Sequence, residues 1–328
     1  MQPEGRSMSM VDSRNGSEGL APRQARPVDL KKSQPADAAA AAVLRECAGQ
    51  IAANIPVVIA SVEPEGPHQL RIGLRRLRSA LSAFSAVLGG QEAKRLSAEA
   101  RWLGQEVGLL RDLDVIRTGI VPAAMARNPL DARFEALAAA VGEAASAARE
   151  RLSATLQGER VSTFLADLDA FVARLDGTGL DVPERPAGTP LSVADLAVTA
   201  LDRRWKKSVR AAGRIGKLTL AERHVLRKEL KKLRYCGEFL LPLFRRRKAK
   251  PFLKRLKQLQ DVFGLLNDAR MVAGRLDEVL AGGRAPDGAR HAAGWIAGYA
   301  ACEADVAWTH ARALWKDLGK TRRFWTSG

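Results

Sequence analysis

The chain is poor in cysteine, with three in 328 residues. Cys47, Cys236 and Cys302 are too few, odd in number and too widely spaced for a disulfide framework or a zinc knuckle, and a reducing cytosol suits them best. Long apolar runs are also missing. The opening MQPEGRSMSMVDSRNGSEGL holds no apolar core of a signal peptide, and no later stretch supplies the ~18 uncharged apolar residues of a membrane span. Export and membrane integration are therefore not expected. A glycine-rich phosphate loop, an HExxH motif and any Ser or Cys beside a base in sequence are absent, so no catalytic residue, metal or cofactor is expected and the protein is read as not an enzyme. From Ala38 onward β-branched and aromatic residues are sparse, while Ala, Leu and Arg recur at helical spacing, which predicts an all-α body.

What is abundant is positive charge. Lys and Arg number 53 against 36 Asp and Glu, giving a net charge of +17 and a pI near 10.4. That exceeds what solubility requires and implies an acidic partner: nucleic acid, a membrane surface or a phosphate polymer. A hydrophobic content of 46% still allows a sizeable core. Residues 1–36, rich in Ser, Gly, Pro and Arg, read as a disordered tail. Residues 321–328 read as a basic C-terminal tail, in which Trp325 is available for outside contact while Trp308 and Trp315 fit a core.

The body contains a repeat at one constant offset. HQLRIGLRRLRSAL, from His68, aligns with HVLRKELKKLRYCG, from His224, 156 positions later. LGQEVGLLRDLDV, from Leu103, aligns with LQDVFGLLNDARM, from Leu259, at the same offset of 156 and without a gap. Two blocks sharing one offset point to duplication of a helical unit. The Gly- and Pro-rich DGTGLDVPERPAGTPLS between them cannot continue a helix and reads as a linker. The body at 37–320 thus divides into a first half at about 37–175, a linker at 176–191 and a second half at about 192–320. Ser192 with Asp195, and Thr219 with Glu222, resemble capping boxes, and Pro67 suits a first helical turn.

Placed on a helix, Leu70, Leu74, Leu77, Leu81 and Phe84 share one face. His68, Arg71, Arg75 and Arg78 form a separate stripe at i, i+3, i+7 and i+10. His224, Arg227, Lys231 and Arg234 repeat it, with Tyr235 at the margin, while Arg76 and Lys232 point elsewhere. Like charges at this spacing repel by a few tenths of a kcal/mol per pair. A polyanion along the stripe would relieve that repulsion, because guanidinium forks bind phosphate oxygens bidentately and counterion release adds affinity. A solvated cationic face is the plainer alternative, and a packing role is the plainer one for the histidines. Glu238 projects onto the second stripe and is placed to pair with Arg234 or Lys231.

In the second block, Gly108 and Gly264 sit inside predicted helices, which suggests a close helix crossing at each. Asp112 and Asp268 are expected to hold stripe arginines. RRRKAKPFLKRLKQ, from Arg245, adds Lys254 and Lys257 on one face, with Pro251 marking a helix start. Exposed aromatics or a groove-reading helix, which nucleic-acid binding would favour, are not evident.

These motifs, HxLRxxxKKLRY with a downstream GLLND, resemble the conserved histidine α-helical domain family, CHAD, over about residues 37–320. The resemblance implies two helical bundles related by pseudo-twofold symmetry around a basic groove or pore. It also implies binding of inorganic polyphosphate, often at polyphosphate granules in the cytoplasm. Its binding residues fall on His68, Arg71, Arg75, Arg78, His224, Arg227, Lys231 and Arg234, with Lys254 and Lys257 less directly matched. Members are often fused to a triphosphate tunnel enzyme domain, whose ExExK strand motif does not occur here. Nucleic acid remains the alternative partner.

Overall fold

The computed structural model describes residues 20–88, 90–176, 192–281 and 287–326, and among these it is helical without a strand. The chain runs through α1 (Ala36–Ala60), α2 (Glu65–Ala83), α3 (Gln91–Val115), α4 (Val121–Arg127), α5 (Arg133–Leu156) and α6 (Glu159–Asp176). It continues through α7 (Val193–Ala212), α8 (Leu220–Leu240), α9 (Arg246–Ala281) and α10 (Asp287–Lys320). The all-α reading of the composition is what the chain adopts. The linker expected at 176–191 lies, beyond the end of α6, outside the described residues.

Local chemistry accounts for several helix ends. Glu222 receives the Thr219 backbone N–H at 2.7 Å, and Thr219 Oγ1 receives that of Glu222 at 3.3 Å. This closes the capping box that opens α8, a feature worth about 1 kcal/mol. Ser192 caps α7 from one side only, because Asp195 accepts its hydroxyl rather than its backbone N–H. Between α3 and α4, Ile116–Ile120 form one wider π turn. Pro122, which has no N–H to donate and a ring that crowds the preceding turn, follows directly. Pro251 does not start α9 as its position suggests: that helix begins at Arg246 and carries Pro251 inside it.

The apolar face expected on α2 is buried throughout, from Leu70 to Phe84. Such side chains contribute about 1.5–3 kcal/mol each. They belong to a large core that joins Leu44, Leu70 and Leu103 to Leu230, Leu259 and Phe263. A smaller core packs Ile116, Phe134 and Val141 against Val272, Leu276 and Ile296. Each core draws on both halves of the sequence, so the halves share their interior. Among the described helices α1 alone is long and apolar enough to cross a membrane. Here its Ala39, Val43, Leu44 and Ile51 are spanned by that large core.

Two expectations at the ends of the chain are corrected. Residues 20–35 are not a disordered tail, because the segment packs on α1. Arg23 pairs with Glu46 at 2.6 Å and its N–H donates to Asn54 at 3.1 Å, Leu30 is buried, and Gln34 accepts the Val193 N–H at 3.0 Å. Asn54 is a buried amide, and the segment supplies partners that the helix alone would lack. Nor is Trp325 available to outside partners. It is 2% exposed, meets Phe252 edge to face at 5.0 Å and donates its indole N–H to Asp202 at 2.8 Å.

Candidate anion-binding groove

α2 and α8 pack against each other, and the basic stripe of each flanks the contact. The leucines of one face go into the large core, and this holds the next face of each helix at the groove. Arg71 and Arg75 both act electrostatically on Arg227. Arg75, Arg227 and Arg234 act on Lys231. The two stripes thus converge rather than splaying onto opposite surfaces. Arg76 does point elsewhere, lying over the Phe239 ring at 5.0 Å.

Carboxylates neutralise some of these cations. Arg71 lies 3.4 Å from Asp112, which also holds Arg275 of α9 at 3.4 Å. Arg234 pairs with Glu238 at 2.9 Å and donates to Gln260 at 3.3 Å. Among the described residues, Arg75, Arg78, Arg227 and Lys231 take part in no ion pair. Asp268 favours the charged forms of Arg227 and Lys231 without reaching ion-pair distance. The Nε of Arg227 is buried without a hydrogen-bond partner, a state that normally costs ~1–3 kcal/mol.

The electrostatic consequence is large. Burial, then the charges of Arg75, Arg227 and Arg234, pulls Lys231 from 10.5 down to about 6. Burial and Arg75 pull Arg227 down to about 10. His68 is lowered by burial first and then by Arg111, and His224 by burial and then by Lys228, Arg227 and Arg270. Both histidines are thereby kept neutral near pH 7. At the head of α8 a cavity of about 490 Å³ is lined by His224, Arg227, Asn267 and Arg270, with Phe263 and Met271 on its apolar side.

Gly108 accommodates the Arg71 guanidinium, which a Cβ at that position would strike. The close approach there is by a side chain of α2. At Gly264 a Cβ would meet nothing within 4 Å, so the crossing expected there is absent. Lys254 and Lys257 are exposed on α9, and neither is among the charges that chiefly lower His224, Arg227 or Lys231.

Other cations do enter it. Arg101 acts on Arg78, Arg111 on His68 and Arg71, Arg270 on His224, and Arg275 on Arg71. The repeat could not flag Arg275, because Gly119 stands at the corresponding position 156 residues earlier. Arg111, inside the LLRDLD block, carried the only local signal, its position beside Asp112.

The family model of the CHAD domain matches residues 42–277. The crystal structure of the CHAD domain from the plant Ricinus communis is 27% identical and covers 93% of this chain and 98% of its own, with a TM-score of 0.78. PptA from Streptomyces chartreusis is 18% identical and covers 86% of this chain and 100% of its own, with a TM-score of 0.63, a likeness of fold alone. No curated protein matches the chain in sequence.

Proposed function

The chain belongs to the CHAD family, and from that premise we propose that it binds inorganic polyphosphate, without transforming it, in the groove between α2 and α8. The observation that carries this reading is the crowding of Arg75, Arg227 and Lys231, the last stripped of most of its charge by burial and its neighbours, with no carboxylate in ion-pair reach among the described residues. Such a cluster is unfavourable by itself. Phosphoryl oxygens would accept the orphaned N–H of Arg227, restore the proton of Lys231 and offset the repulsion across the groove. Arg71, braced by Asp112, and Arg78, His68, His224 and Arg234 extend the same surface on either side.

We read the two motif helices as copies of one duplicated unit, related by a pseudo-twofold, so that a uniform phosphate chain meets similar donors on both walls. The identities at one unbroken offset support this. A polymer without bases suits the groove better than nucleic acid does: Tyr235, at its margin, is 8% exposed and lies beside the Arg234 guanidinium, leaving no ring for base stacking. Residence in the cytoplasm at polyphosphate granules is part of the same proposal.

Competition titration of long-chain polyphosphate against single- and double-stranded DNA, at several salt concentrations, tests it. Polyphosphate is expected to win at physiological ionic strength, and equal preference for DNA would overturn the reading. Assay of released orthophosphate tests binding without turnover, and sustained release would make the protein an enzyme.

A further inference from the structure

The cationic line on α2 does not end at Arg78. Continued at the same spacing, its next two positions are Ser82 and Ser85, and guanidiniums from another helix reach both, with Arg204 on the Ser82 hydroxyl and Arg203 bridging the two. Arg203 of α7 donates to the Ser82 carbonyl at 3.0 Å and to the Ser85 hydroxyl at 3.1 Å. A cation thus stands where the helix's own cations run out.

Beyond Arg203, the exposed side of α7 carries Lys206, Lys207 and Arg210. From Arg203 to Lys217 there are seven Lys and Arg and no Asp or Glu. Among the described residues, none of Arg203, Lys206, Lys207 and Arg210 takes part in an ion pair. Asp202, the carboxylate on this face, is engaged by Arg323 at 3.4 Å and by the Trp325 indole at 2.8 Å. Together with Val198 and Thr199 these side chains line a shallow concavity of about 480 Å³. A solvated helix face mixes signs along i, i+4 positions, and here the opposite charge at that spacing, Asp202 before Lys206, is already held by Arg323 and Trp325.

We propose that the polyanion site runs past the C-terminal end of α2, over Arg203, and onto the outer face of α7. The proposal rests on the groove reading and adds to it a preference for long chains. At 1.5 Å per residue the line from Arg71 to Ser85 is about 20 Å long, and Arg203 to Arg210 adds about 10 Å. A short oligophosphate held in the groove does not reach the ridge, whereas a long chain engages both. The ridge presents ammonium, guanidinium and small aliphatic groups and no aromatic ring, so it suits a bare phosphate chain rather than stacked bases.

The test uses the full chain carrying Lys206→Gln, Lys207→Gln and Arg210→Gln, all exposed, with tripolyphosphate and long-chain polyphosphate as probes. Affinity for the long chain is expected to fall about tenfold, with the slope of log K against log salt flatter by about two, as loss of three phosphate contacts implies. Tripolyphosphate affinity should stay unchanged. An unchanged long-chain affinity, or equal losses for both probes, overturns the extension while leaving the groove reading intact. Arg203→Gln should reproduce the length-selective loss, and where that variant fails to fold the triple variant decides alone. A triple variant that loses duplex DNA but keeps long-chain polyphosphate assigns the ridge to nucleic acid and overturns the proposal. Failure of the unaltered protein to bind either probe removes the groove reading and the extension together.

Discussion

Arg75 on α2 is the charge that bears most on the Lys231 amine of α8, after burial itself, and among the described residues no carboxylate within ion-pair reach separates them. Two helices far apart in sequence are packed so that their cations oppose each other. That arrangement costs stability in the free protein, by repulsion or by loss of the Lys231 proton, and an anion would relieve it.

Replacing Lys231 with methionine should therefore separate stability from binding. The neutral, similarly shaped side chain removes an amine that must give up its proton to be buried among cations, so Lys231→Met is expected to raise stability by about 1–2 kcal/mol, a few degrees in Tm for a chain of this size. Affinity for polyphosphate should fall about tenfold. Thermal melts paired with titration check it, and a destabilised variant would show that Lys231 is satisfied in the free protein.

Acidity should act on binding through the same residue. Lys231 titrates at about 6 when folded against 10.5 as its ordinary value, so the unfolded chain binds more protons between those limits and stability rises with pH across that window. The penalty is fully present below the folded value. Bound phosphate returns the ammonium to its charged form, so binding near pH 7.5 should take up protons and weaken as pH climbs towards 9. Calorimetry in buffers of differing ionisation enthalpy measures the uptake, which Lys231→Met should reduce. Uptake undiminished in that variant would contradict the assignment.

The two helix glycines should behave oppositely. Gly264→Ala meets open space and is expected to stabilise α9 by up to about 1 kcal/mol without altering binding. Gly108→Ala gains similar helix propensity but displaces the Arg71 guanidinium from its place beside Asp112. Polyphosphate affinity should drop while the fold survives. Equal effects of the two substitutions on binding would rule out a seat for Arg71 at Gly108.

The C-terminus should prove structural. Trp325→Ala removes ring contacts with Phe252 and Phe324 and leaves Asp202 without its indole donor. A loss of about 3–5 kcal/mol is expected by analogy with other buried aromatics. Denaturant titration measures it, and a change under about 1 kcal/mol would restore the frayed-tail reading.

Helix content, the buried leucine faces, the caps at Ser192 and Thr219 and the two basic stripes were legible because each depends on residues within a few turns of one another. Glu238 beside Arg234 was legible for the same reason, being one turn away, whereas Asp112 beside Arg71 joins two helices and was suggested by the repeat. The errors share a different cause. Trp325, Arg23, Leu30 and Arg275 have surroundings set by segments tens to hundreds of residues away.

The sequence by itself determined that this chain is helical, strongly cationic and a carrier of two matching basic helices, since local periodicity and composition suffice for that. Tertiary packing alone decided that the stripes face each other, that Gly108 seats Arg71 while Gly264 seats nothing, and that Arg203 of α7 continues the line begun on α2. Side chains from separate helices meet only once the shared cores have set the helix positions, and burial there, rather than the count of charges, sets how strongly each cation lacks an anion.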